Sequence, residues 1–163
     1  MTELPDRPVR GDHGLPPGEV YDWYRGALDA HAAGDPVAAI DLLTWAVAAE
    51  PSARSLREAL ARAQFDARRF DDAAATFGTV VEEDPADHYA RFGLGLASLR
   101  SGDLDTAVTQ LAVAVALESG VPHYEAALRS ARATRNARPS PSINLSGSEL
   151  SDAAEPPPES PST

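Results

Sequence analysis

The stretch HYARFGLGLASLRSGDLDTAVTQLAVAVALESGV, His88–Val121, decides the architecture, because two apolar-patterned halves meet at Gly102-Asp103-Leu104. Glycine supplies a left-handed helix stop, aspartate an N-cap acceptor, and leucine the first residue of a second helix. Moving outward, Arg54–Asp87 and Val20–Ala53 align with this stretch without a gap, giving three copies at a strict period of 34 residues. One column reads Ala39, Ala73, Ala107; the next, four residues on, Leu43, Phe77, Leu111; then Ala46, Val80, Ala114, and Val47, Val81, Val115. Small side chains at these positions let two antiparallel helices approach to about 8–10 Å while large ones fill the space around the crossing. Leu60, Leu94 and Leu128 share a further column that the pattern assigns to the core.

The punctuation repeats as well. Gly34-Asp35-Pro36 matches the turn of the third copy, and Pro51 and Pro85 close the second helices of their hairpins. The middle copy carries Arg68-Arg69-Phe70 where its siblings have Gly-Asp, which predicts a tight or strained turn. Helices are expected over 19–33, 36–49, 53–67, 70–83, 87–101, 104–117 and 121–137. Arg129, Arg132, Arg135 and Arg138 step around the last helix instead of forming one patch, so they read as cations placed near a helix C-terminus.

A net charge of -11 disfavours nonspecific attraction to nucleic acid or anionic lipid. All 14 basic residues are arginine and no cysteine occurs, so disulfides, thiolate metal sites and cysteine nucleophiles are excluded. The composition reads as the bias of a high-GC bacterial genome. With no signal-like or membrane-length apolar run, a cytoplasmic location is expected. His13, His31, His88 and His123 are scattered, and no metal, cofactor or catalytic motif is present. Trp45 falls on a column occupied elsewhere by Thr79 and Val113 and is expected on or near the convex side.

These columns resemble the tetratricopeptide repeat, the TPR, in the short stand-alone form found in bacteria. That pattern asks for Trp, Leu-Gly, Ala, an aromatic or Leu, Ala and Pro, and Trp23, Leu94-Gly95, Ala73, Phe77, Ala46 and Pro85 occupy those places. Gly26-Ala27, Leu60-Ala61 and Ser119 depart from it. The resemblance implies an all-α, right-handed α-solenoid of three helix-turn-helix hairpins plus a C-terminal capping helix. The chain then divides into a flexible arm, 1–18, a repeat domain, 19–138, with repeats 20–53, 54–87 and 88–121 and a capping helix 121–137, and a Pro/Ser/Glu-rich tail, 139–163, too polar to fold.

The same resemblance implies a concave groove lined by the first helix of each hairpin. Its set here is Tyr21, Tyr24, Leu28, His31 and Ala32; Ser55, Glu58, Arg62, Phe65 and Asp66; Tyr89, Phe92, Leu96, Leu99 and Arg100. Glu58 or Asp66 is expected to neutralise Arg62 and Arg100 when the groove is empty. Chaperone-binding members clamp a terminal carboxylate with Lys and Asn; the corresponding columns read Tyr24, Glu58, Phe92 and Arg25, Ala59, Gly93, so that clamp is missing. The implied role is a non-catalytic adaptor or scaffold that binds a peptide or helix of another protein, without nucleic acid, membrane or cofactor, as a monomer or weak homo-oligomer. A self-assembling structural module and a regulatory subunit of an enzyme are the alternatives.

Overall fold

A computed structural model describes residues 18–138. The tail and all but the last residue of the expected arm lie outside them. Seven helices follow one another: α1 (Val20–Ala32), α2 (Pro36–Ala49), α3 (Arg54–Asp66), α4 (Phe70–Glu83), α5 (His88–Ser101), α6 (Leu104–Leu117) and α7 (Pro122–Ala137). There is no strand among the described residues. The second helix of every hairpin has the bounds expected from sequence; the others start one residue later than expected, and α1 and α3 also end one residue earlier.

The caps explain these boundaries. Asp35, Asp87 and Asp103 accept hydrogen bonds from the N–H groups of Ala38, Ala90 and Thr106 at 3.0, 2.9 and 3.2 Å. Gly34 and Gly102 leave α1 and α5 with φ of 80° and 94°, and Arg68, in the same column, is driven to φ 62°. The strain expected of the middle turn is therefore carried by one non-glycine residue. Arg68→Gly should be about 1 kcal/mol more stable than Arg68→Ala, since both variants lose the guanidinium but only glycine tolerates the backbone. Urea midpoints of the two proteins measure the difference.

Consecutive helices pack side by side, while α3 also touches α5, and α5 touches α7, placing the odd-numbered helices in one layer. Within that layer the helices run parallel. The His31 and Asp66 side chains meet at 3.3 Å near the C-terminal ends of α1 and α3, and His88 Nδ1 meets Tyr124 Oη at 3.0 Å near the N-terminal ends of α5 and α7. The alanine, large and small columns are all buried, and Ala39, Ala73, Ala107 and Leu111 have no exposed surface. The valine column is only half-buried. Leu60 and Leu128 are core residues, but Leu94 is half-buried, so the leucine column is not uniform.

The column headed by Trp23 changes character in the second copy. Arg57 occupies it at 8% exposure and donates two hydrogen bonds to the Glu83 carboxylate at the end of α4. Arg54 holds Asp84 at 2.7 Å and Asp87 at 3.4 Å. The acidic end of α4, unfavourable for a helix C-terminus by itself, is thus neutralised by two arginines of α3. The hydrogen bonds from Arg57 hold the Glu83 carboxyl below its ordinary range. Such a group adds stability above its unfolded value, about pH 4.3, and that contribution is lost as pH falls through the depressed folded value. Glu83→Gln should therefore flatten the acid limb of the stability curve, which urea melts from about pH 5 to pH 3 would record. Trp45 lies half-buried against the cluster of Trp23, Ala46 and Leu56 and serves the packing of α2 on its neighbours.

Candidate functional site

Between α3 and α5 the odd-numbered layer opens into a pocket of about 220 Å³. Phe65, Tyr89, Phe92 and Leu96 form its walls, and Arg62 and Asp66 stand among them. Phe77 of α4 reaches through from the other layer to help line it, which is allowed by Gly93. A Cβ on Gly93 would meet three atoms of the Phe77 ring at 2.5–2.6 Å, closer than van der Waals contact permits. The repeat columns do not mark this floor, because the column of Gly93 carries Arg25 and Ala59 in the other copies.

Arg62 donates from Nη2 and Nε to Tyr89 Oη at 2.8 and 3.1 Å, and its guanidinium carbon is 5.7 Å from the centre of that ring. It also borders a smaller pocket of about 40 Å³ between α1 and α3, beside Leu28 and His31. The expected neutralisation by Glu58 or Asp66 is not what the structure shows. Glu58 faces Arg54 Nε at 3.4 Å, and Asp66 faces His31. Each carboxylate has another partner: Glu58 meets Arg54 one turn back on α3, and Asp66 meets His31 on α1. Burial, and then repulsion by Asp87, raises the Glu58 carboxyl above its ordinary value.

Among the described residues neither Arg62 nor Arg100 forms an ion pair. Arg100 lies over the Phe70 ring at 5.5 Å and Arg68 approaches the same ring at 5.7 Å. Phe70 in turn meets Phe65 edge-on at 5.2 Å. A cationic and aromatic rim therefore runs from the α5 C-terminus through Phe70 to the wall of the larger pocket.

The remaining residues of the expected groove are placed differently. Tyr21, 64% exposed, lies at the far end beside Gly18, Trp23 and Glu50. Tyr24 is half-buried in the packing of α1 on α2 and α3, and Leu99 packs against the α6–α7 cluster. Phe92 stacks on Tyr124 at 4.2 Å, so it serves both the pocket wall and the capping helix. His123 lies edge-on to Phe92, and no group of three metal-ligating side chains occurs among the described residues. No described helix is long and apolar enough to cross a membrane.

The sequence model of the family described as Tetratricopeptide repeat matches residues 24–77 and 58–122. The chain belongs to the tetratricopeptide-repeat family. No curated protein matches it in sequence. Among solved structures, the first TPR of Spaghetti (RPAP3), bound to an HSP90 peptide SRMEEVD, is 20% identical, with a TM-score of 0.67 over 77% of this chain and 99% of that one. The Sgt2 TPR domain from Aspergillus fumigatus is 21% identical, with a TM-score of 0.66 over 91% of each chain. The Yersinia enterocolitica type III secretion chaperone SycD, in complex with a peptide of the translocator YopD, is 15% identical, with a TM-score of 0.63 over 71% of this chain and 94% of that one. At these identities the likeness is one of fold, and it agrees with a solenoid of three TPR hairpins and a closing helix.

Proposed function

We propose that this TPR protein is a non-catalytic adaptor, and that the pocket between α3 and α5 takes a large apolar side chain from a peptide or helix of another protein. The observation that carries this reading is Arg62. A guanidinium fixed by Tyr89 and in no ion pair among the described residues stands at the mouth of an aromatic pocket in a chain of net charge -11. An acidic segment bearing one bulky apolar residue would fill the pocket and satisfy the cation together. Similar folds that hold peptides, such as the RPAP3 and SycD complexes, support peptide capture as the class of activity. The Lys and Asn clamp of the chaperone-binding subclass has no counterpart in Tyr24, Glu58 and Phe92 or in Arg25, Ala59 and Gly93. A terminal carboxylate is therefore not the feature this groove is built to read. Absence of cysteine suits a reducing, cytoplasmic setting.

Panning a random-peptide display library on the full chain and, in parallel, on Arg62→Glu tests the reading. Wild type should enrich peptides with a large apolar residue flanked by carboxylates, and the variant should lose them. Enrichment of the same peptides on both proteins would sink it.

A further inference from the structure

The chain itself carries a segment with the chemistry the α3–α5 site asks for. Residues 139–163 contain Glu149, Asp152, Glu155 and Glu159 and no Lys, Arg or His. Their large apolar side chains, Ile143, Leu145 and Leu150, fall within eight positions of one another, next to the first two of those carboxylates. We infer that the segment Ile143–Leu150 docks in cis in the pocket between α3 and α5 and occupies it until a partner displaces it. This rests on the reading of the pocket as a peptide site and adds its regulation.

Three observations lead to this occupant. First, α7 ends at the correct edge of the layer. The Nη1 atom of Arg135, in its last turn, is 3.9 Å from Asp105 Oδ1, beside the Gly102-Asp103 turn that leaves α5. Arg100, two residues before that turn, begins the cationic and aromatic rim leading through Phe70 and Phe65 into the pocket.

Second, the reach suffices. Because α7 adjoins α5 and runs parallel to it, while the pocket lies on the α3 side of α5 along Tyr89–Leu96, the pocket is about one and a half helix spacings across and about two turns back from where α7 ends, roughly 20 Å in all. Residues 139–150 span up to ~40 Å when extended, at about 3.3 Å each. Leu150 can thus enter the pocket, with Ile143 and Leu145 lying along the rim that leads to it.

Third, the charges are complementary. The described domain offers Arg62 and Arg100 without ion-pair partners, and Glu149 and Asp152 flank Leu150, the last of the apolar trio. A short tether holds such a segment at an effective concentration in the millimolar range. Even a weak apolar contact is then occupied most of the time, while a partner with more contacts displaces it.

The absence of cysteine allows a unique probe. A nitroxide on Ser146→Cys in the full chain should strip intensity from the amide signals of Phe65, Tyr89 and Leu96 and spare those of Thr109 and Val113 on α6. Adding Ile143→Ser, Leu145→Ser and Leu150→Ser should restore them. Mixing spin-labelled unenriched chain with unlabelled enriched chain should leave them intact; broadening in that mixture would mean that a second copy is the occupant and would overturn the proposal. So would signals at the pocket that do not respond to the label.

In a second arm, a synthetic peptide of residues 141–155 is titrated into the full chain. It should bind the triple-serine variant roughly tenfold more tightly than wild type, because the variant lacks the tethered competitor. Equal affinity for the two would also overturn cis docking. Library peptides that still bind in an Arg62-dependent way would then show that the peptide-site reading stands without it.

Discussion

Phe77→Ala should cost about 3–5 kcal/mol of unfolding free energy, the range for removing a buried aromatic ring. Phe77 is 3% exposed and packs with Ala61, Val80 and Ala90, at the junction of the second and third hairpins. Its ring also meets Tyr89 edge-on at 6.3 Å and fills the space left by the missing Cβ of Gly93. In a solenoid each hairpin is stabilised only by its neighbours, so this loss falls on the interface that joins the chain's two halves. Domains of this size have a total stability of about 5–15 kcal/mol, and the variant should therefore show a large drop in urea midpoint. It should also lose peptide binding, because the pocket floor leaves with the ring. A change within about 1 kcal/mol would mean that Ala61 and Val80 collapse into the space, and that the second and third hairpins are coupled less tightly than this packing implies.

Gly95→Leu is the other substitution with a severe expected effect. A Cβ at Gly95 would lie 2.6 Å from Leu111 Cγ and 3.1 Å from the Leu111 backbone nitrogen. Leu111 has no exposed surface and its main chain belongs to the middle of α6, so neither contact is relieved by turning a flexible side chain. The helices of the third hairpin must move apart, at a cost of at least the usual overpacking penalty of about 1–3 kcal/mol. Chemical denaturation should show this loss, and the proton signals of the Leu111 methyls should shift. A Gly95→Leu protein as stable as wild type would contradict the close crossing of α5 and α6.

Much of this architecture can be read in the sequence because the repeat states it three times. Alanine in one column and Leu or Phe four residues on impose the crossing of each hairpin, and Gly-Asp marks two of the three turns. The ion pairs were less legible. Arg57 stands where a tryptophan is usual, and its bond to Glu83 spans 26 residues, so it depends on interhelical register that no local spacing reveals. The same register assigns Asp66 to His31, while Glu58 turns to Arg54 one turn back on its own helix, and Arg62 is left to Tyr89. Tyr24 and Leu99 sit at groove columns, yet neighbouring helices on one side half-bury them, because position along a helix fixes a direction and not what lies in it.

The placement of the site can be measured directly by following the backbone amide signals of the full chain as a peptide enriched on wild type is added. The largest shifts should fall on Phe65, Tyr89, Phe92 and Leu96, with the Arg62 side-chain Nε signal moving at the same ligand concentration. Shifts centred instead on Tyr21 and Trp23, or on the α2, α4 and α6 layer, with Arg62 unmoved, would contradict it.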